Sequence, residues 1–188
     1  TWHGMGLDAI VATAYINRGL AYDEQGRVDV AAADYTAAIQ RDPEFAEAYG
    51  NRAKTYVSMG LYQQALADAN RAIEINRHLA PAFNARALAY LGLGRTEDAL
   101  TDVTRAIDQD PVFAMAYSNR AYMNTGLRRY DQAVVDATKA LELDPNLAPA
   151  YANRAEAHLL AGDYDRAISD STSALERDPT LVGTLIGR

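Results

Sequence analysis

No cysteine occurs among the 188 residues of the chain, which excludes disulfides and thiolate metal sites. Histidine is scarce: His3, His78 and His158 lie far apart, and none has the spacing of a metal ligand. Lysine occurs only as Lys54 and Lys139. With arginine included, 18 basic residues face 25 acidic ones, giving a net charge of −7. That balance argues against a general nucleic-acid role, which needs a surplus of cations to displace counterions from phosphate. No apolar run approaches the roughly 20 residues that span a bilayer, so no membrane insertion is expected. No enzyme, metal site or cofactor is expected either. Nucleophilic and acid–base sites need a His, a Cys or paired carboxylates converging in a pocket, and no such group clusters or repeats. The Gly-x-Gly in "GLGR" (92–95) has no strand before it, so it is not a nucleotide loop.

What the chain does have is alanine, 37 residues of it, a strong helix former whose small side chain lets helices approach closely. It also has internal repetition. "AYGNRAKTY" (48–56) is echoed by "AYINRGLAY" (14–22), "AFNARALAY" (82–90), "AYSNRAYMN" (116–124) and "AYANRAEAH" (150–158). Arg18, Arg52, Arg86, Arg120 and Arg154 are 34 residues apart, and so are Ala31, Ala65, Ala99, Ala133 and Ala167. The same step relates Asp34, Asp68, Asp102, Asp136 and Asp170, and the aromatics Tyr15, Tyr49, Phe83, Tyr117 and Tyr151. Pro43, Pro111, Pro145 and Pro179 share the frame, with Arg77 in the second slot. A fixed period of this size marks a repeat array. The units are 12–45, 46–79, 80–113, 114–147 and 148–181. Residues 1–11 form an N-terminal extension or partial cap, and 182–188 begin a sixth unit or a truncated cap.

Each unit reads helix, turn, helix, turn. In 46–79, Tyr49, Ala53 and Tyr56 share one face of the first helix, Gly60 stops it, and Ala65, Ala69, Ala72 and Ile73 line the second. Such a unit, with an early aromatic, a central small residue, a late Tyr, an Ala in the second helix and a terminal Pro, resembles the tetratricopeptide repeat across residues 12–181. The resemblance implies an all-α, right-handed superhelix of antiparallel helix pairs, an α-solenoid that acts as a protein- or peptide-binding scaffold through a concave surface. Two departures stand out. In the fourth unit Gly126 comes two residues early, Arg128 takes the usual Gly slot and Asn124 replaces the Tyr, which predicts a first helix that ends early and a longer turn. The second departure is the arginine, which replaces the apolar residue usual at that position.

Each Arg follows the aromatic by three residues, on the packed side of the first helix. The Asp follows the repeated Ala of the second helix by three. In an antiparallel hairpin these positions share a height, which predicts structural ion pairs Arg18–Asp34, Arg52–Asp68, Arg86–Asp102, Arg120–Asp136 and Arg154–Asp170. The planar guanidinium can give two parallel hydrogen bonds to one carboxylate. The residues after these Asp, Tyr35, Ala69, Val103, Ala137 and Ser171, are mostly small enough to leave room for the Arg stem.

Asn17, Asn51, Asn119 and Asn153 precede the Arg in four units, and Ala85 breaks the series. One residue turns a helix by about 100°, so these Asn point sideways, toward what the resemblance makes the concave groove. Ile16, Leu20, Lys54, Leu88, Tyr122 and Glu156 are expected on the same surface. Two readings stand. The Asn hold the backbone of an extended peptide, since one carboxamide both donates and accepts and some members of the family use a similar ladder. Alternatively, each bonds within the array. "YSNRA" (117–121) also resembles the middle repeat of co-chaperone domains that bind EEVD-type tails. Those domains need further Lys, Asn and Arg on the flanking first helices. Here those slots hold Asn84, Leu88, Pro149 and Asn153, so a chaperone-tail carboxylate clamp is not expected. At the C-terminal end, Leu181, Val182, Leu185 and Ile186 would be bare. Either further chain or a second copy, making a homo-oligomer, is expected to cover them, and a self-assembling module is the alternative to a peptide scaffold.

Overall fold

A computed structural model describes the backbone of residues 2–181 and the side chains from residue 6 onward. The described residues form ten α-helices: α1 (Trp2–Glu24), α2 (Val28–Arg41), α3 (Ala46–Ser58), α4 (Tyr62–Ile75), α5 (Ala80–Gly92), α6 (Thr96–Gln109), α7 (Ala114–Gly126), α8 (Tyr130–Leu143), α9 (Ala148–Ala161) and α10 (Tyr164–Arg177), followed by a 3-10 turn, Pro179–Leu181. No strand is present among the described residues. The expected sixth unit at 182–188 lies outside them. The expected cap at 1–11 runs without a break into α1 as far as it is described. Two compact units result, Thr1–Gln109 with α1–α6 and Asp110–Arg188 with α7–α10. In the first, α1–α2, α3–α4 and α5–α6 pair as hairpins, and α3 and α5 each pack on the hairpin before them. In the second, α7–α8 and α9–α10 pair, and α9 packs on both α7 and α8.

Alanine builds the contacts. Ala53 of α3, Ala69 of α4 and Ala85 of α5 form one buried cluster. In the second unit, Ala121, Ala133, Ala137 and Ala157 form another across α7, α8 and α9. Each cluster joins a hairpin to the first helix of the next, so methyl-sized side chains set the helix approach at each joint. The break in the Asn series has its reason here: Ala85 is 1% exposed inside its cluster, where a carboxamide would be crowded and unpaired. Ile16, expected on the open surface, is instead 6% exposed in a core of Ala12, Ala31, Tyr35, Ala38 and Ala48. Its position in the repeat faces the next first helix, as buried Gly50 and Ser118 also do.

The turn within each hairpin follows one hydrogen-bond pattern. Leu61 N–H donates to Tyr56 O at 2.8 Å and Gly60 N–H to Val57 O at 3.0 Å, with Gly60 left-handed at φ 72°, as the Schellman cap requires. The fourth unit corrects the sequence expectation. Helix α7 keeps the same 13 residues as α3 and α5, and the turn is no longer. Arg128 itself adopts φ 59°, and Arg129 N–H closes on Asn124 O at 2.9 Å. Between hairpins, the side chains of Asp42, Asn76, Asp110, Asp144 and Asp178 accept the N–H two residues on at 2.9–3.1 Å. Asn76 therefore preserves the turn where Arg77 stands in the proline slot.

Candidate functional site

The repeated Arg and Asp meet inside each hairpin. Arg18 reaches Asp34 through Nε and Nη2, both at 2.7 Å. The corresponding distances are 2.6 and 2.8 Å for Arg52–Asp68, and 2.6 and 2.9 Å for Arg86–Asp102. They are 2.9 and 2.7 Å for Arg120–Asp136, and 2.7 and 2.8 Å for Arg154–Asp170. All five Asp are buried. Burial works against the Arg52 charge, but hydrogen bonding and attraction from Asp68 outweigh it and hold its pKa above the ordinary value. For Arg86 and Arg154 the hydrogen bond to the aspartate is itself the largest cause of the same upward shift. The aromatic one turn earlier lies under the guanidinium: the Arg–ring distance is 5.4 Å at Tyr15, 5.8 Å at Tyr49, 5.5 Å at Phe83, 5.6 Å at Tyr117 and 5.7 Å at Tyr151, within the range of a cation–π contact. In the fourth unit, Asn124 Nδ2 donates to Asp136 Oδ2 at 3.1 Å, so the Asn that displaces the usual Tyr joins the ion pair.

Sequence reasoning missed the second tether of these arginines. Arg52 Nη1 donates to Thr36 Oγ1 at 2.9 Å, Arg86 Nη1 to Asn70 Oδ1 at 2.8 Å, and Arg154 Nη1 to Thr138 Oγ1 at 3.2 Å. Each acceptor sits on the second helix of the preceding hairpin, so the Arg fastens neighbouring repeats as well as its own hairpin. The signal was present in the sequence, since Thr36, Asn70, Thr104, Thr138 and Thr172 share the 34-residue frame. A recurring hydroxyl on the second helix does not by itself say that the next hairpin's arginine reaches it.

The candidate groove residues are not equivalent. In the first unit Asn17, Leu20 and Lys54 are exposed, and Asn51 and Leu88 are half-buried. The carboxamides of Asn17 and Asn51 make no hydrogen bond among the described residues. In the second unit Asn119, Tyr122 and Asn153 are half-buried. Asn153 Nδ2 donates to Ser118 O at 2.9 Å and Ser118 Oγ at 3.0 Å, so this carboxamide spends its donor on the preceding first helix. Beside it, Tyr122, Asn153 and Glu156 border a cavity of about 670 Å³ whose apolar wall includes Leu159, Tyr164, Ile168 and Leu175. No group of three or more potential metal ligands occurs among the described residues, and no described helix is long and apolar enough to cross a membrane.

Comparison with known proteins bears on this arrangement. The profile described as "Tetratricopeptide repeat" matches residues 16–80 and 84–148, and a second profile of the same description matches 137–169. No curated protein sequence matches significantly. Among solved structures, the chain is similar to TTC0263, a thermophilic TPR protein in Thermus thermophilus, with a TM-score of 0.81 at 23% identity, covering 89% of this chain and 92% of that one. It is similar to YrrB, described as a TPR protein with an unusual peptide-binding site, with a TM-score of 0.58 at 21% identity over 88% and 85%. It is also similar to the first TPR of Spaghetti (RPAP3) bound to HSP90 peptide SRMEEVD, with a TM-score of 0.58 at 27% identity over 63% and 94%. The two long profile matches, the recurrent hairpins and these structural likenesses lead to one assignment: the chain belongs to the tetratricopeptide repeat family, with its all-α solenoid fold of antiparallel helix pairs.

Proposed function

We propose that this chain is a protein-interaction scaffold that holds an extended peptide, or an extended segment of a partner protein, against the first helices of its repeats. Family membership supports the scaffold role in general. The observation that carries the finer reading is the pair Asn17 and Asn51: both lie on the first-helix surface with carboxamides that no hydrogen bond among the described residues uses. Leu20, Lys54 and Leu88 flank them in the first unit, and Asn119, Tyr122 and Asn153 are the counterparts in the second. Polar contacts alone are not enough. Each hydrogen bond nets about 0.5–1.5 kcal/mol, and micromolar affinity needs about 8 kcal/mol, so Leu20, Leu88 and Tyr122 supply apolar contact. A peptide selected from a random display library tests this. Asn17→Ala with Asn51→Ala is expected to weaken its binding about tenfold or more, and unchanged affinity overturns the reading.

A chaperone-tail carboxylate is not the proposed ligand, in contrast to the HSP90 peptide bound by Spaghetti. The five repeated arginines are each committed to an aspartate, and lysine is limited to Lys54 and Lys139. Titration with SRMEEVD is expected to show no saturable binding; micromolar binding would reverse this reading. No catalytic role is proposed. A second reading, self-association through the C-terminal end, is favoured by Leu159, Leu160, Tyr164 and Ile168, which are 52–67% exposed side by side on α9 and α10.

A further inference from the structure

Lys54 stands on α3 with a neighbouring first helix on either side. The Thr55 hydroxyl ties α3 to Asp23 of α1 at 2.9 Å, and Ala53 packs with Ala85 of α5. Leu20, Lys54 and Leu88 occupy one position of the repeat, 34 residues apart, so they form a row across α1, α3 and α5. Leu20 is 38% exposed, Lys54 is exposed and Leu88 is half-buried.

The charge in this row has no answer inside the unit. Seven arginines of the first unit, Arg52, Arg71 and Arg95 among them, meet a carboxylate within 3.7 Å. The Lys54 ammonium meets none and makes no hydrogen bond among the described residues, in a chain with 25 acidic side chains. Asn51 lies one turn before it on the same face, with a carboxamide equally unused among those residues. Glu47, two turns before Lys54, and Glu24, one turn after Leu20, are exposed on the same surface. These acids frame the row with negative charge. The surface therefore favours one anion at Lys54 and disfavours a run of them, because like charges brought together across an interface repel.

Spacing selects the conformation of the ligand. Packed helices lie about 8–10 Å apart, which sets the step from Leu20 to Lys54 and from Lys54 to Leu88. A polyproline-II helix returns its side chains to one face every third residue, about 9.3 Å on. A β-strand returns every second residue, about 6.6–6.8 Å on, and loses register within two helices. The polyproline-II backbone also has no hydrogen bonds of its own, which leaves its amides and carbonyls open to Asn51. We propose that the first unit binds a polyproline-II segment of a partner, with one acidic side chain on Lys54 and an apolar side chain three residues to either side, on Leu20 and Leu88. This rests on the peptide-scaffold reading and goes beyond it by naming the conformation, charge and spacing of the ligand.

Calorimetric titration of the full chain with three end-blocked peptides, PLPPEPPLP, PLPPQPPLP and PLPEPLP, tests it. The first is expected to bind about fivefold or more tightly than the second, which lacks the charge. It is expected to outbind by a similar factor the third, which keeps the three groups at a β-strand spacing. Sodium chloride at about 1 M, where the Debye length is about 3 Å, should erase the difference between the first two. Lys54→Glu changes one exposed side chain, and circular dichroism verifies its helix content. This variant is expected to reverse the preference and bind PLPPKPPLP in place of PLPPEPPLP. Equal binding of PLPPEPPLP and PLPPQPPLP, or a Lys54→Glu variant that still prefers the acid, overturns the proposal. If none of these peptides binds while the display-selected peptide depends on Asn17 and Asn51, the scaffold reading stands and this ligand falls. If the display-selected peptide is also indifferent to those Asn, both readings fall.

Discussion

The first and second repeats hold the same bidentate pair in different settings. Arg18–Asp34 and Arg52–Asp68 match within 0.1 Å in both contacts, yet the Arg18 side chain is 58% exposed and Arg52 only 15%. Arg52 also reaches Thr36, whereas Arg18 has no preceding hairpin in the described structure. Geometry alone would rank the pairs as equals. Burial of the guanidinium separates them, since both aspartates are buried: removal of one partner from a fully buried pair costs about 3–5 kcal/mol, and water beside Arg18 offsets part of that loss.

The largest expected effect follows directly. Arg52→Met leaves Asp68 buried without its cation or any water in the cation's place and lowers unfolding free energy by about 3–5 kcal/mol, while Arg18→Met costs less, because water can replace the exposed guanidinium beside Asp34. Urea titrations of the two variants measure the difference, and equal losses would show that burial is not what distinguishes the pairs. Next comes the close approach that is special to the first repeat. A Cβ at Gly19 would lie 2.7 Å from the Tyr35 ring, so Gly19→Ala is expected to cost about 1–3 kcal/mol by overpacking. Tyr35→Val, which copies Val103 in the third repeat, should restore most of that loss. A smaller effect of opposite sign is expected at Arg128, where glycine relieves the left-handed backbone and Arg128→Gly raises stability by about 1 kcal/mol. The smallest is a pH effect. Burial, then the Asp23 charge and hydrogen bond, push the Tyr35 hydroxyl above its ordinary pKa. The neutral phenol therefore favours the folded state. Stability is intact below the ordinary tyrosine value of about 10 and falls as pH rises above it, and thermal melts of Tyr35→Phe should show a shallower decline over that alkaline range.

The fold was legible because the repeat marks every boundary: Gly60 recurs as the turn and Pro43 or a stand-in as the break. Period also misled. Arg128 in the glycine slot suggested a shifted turn, but the backbone of the repeat is held by its neighbours strongly enough to force a side-chain-bearing residue into the left-handed region. Ile16 was placed on the open surface because helix phase alone does not tell which side the following helix will cover. The joint between hairpins was hidden for a different reason. Thr recurs there with Asn70 as the one replacement, but a hydroxyl on the second helix does not reveal that the arginine of the following hairpin comes within its reach. The candidate groove was legible as a row of Asn, but not the engagement of Asn153 with Ser118, which depends on the residue one helix away.

The doubly tethered arginines have a consequence for how the chain folds. Arg52 reaches 16 residues forward to Asp68 and 16 residues back to Thr36, and Arg86 and Arg154 reach equally far in both directions. Each contact therefore closes a loop of one size, at one entropic cost, with no distant segment to wait for. Ordering can start at any hairpin and spread to its neighbour in equal steps, at the high speed that short-range contacts permit.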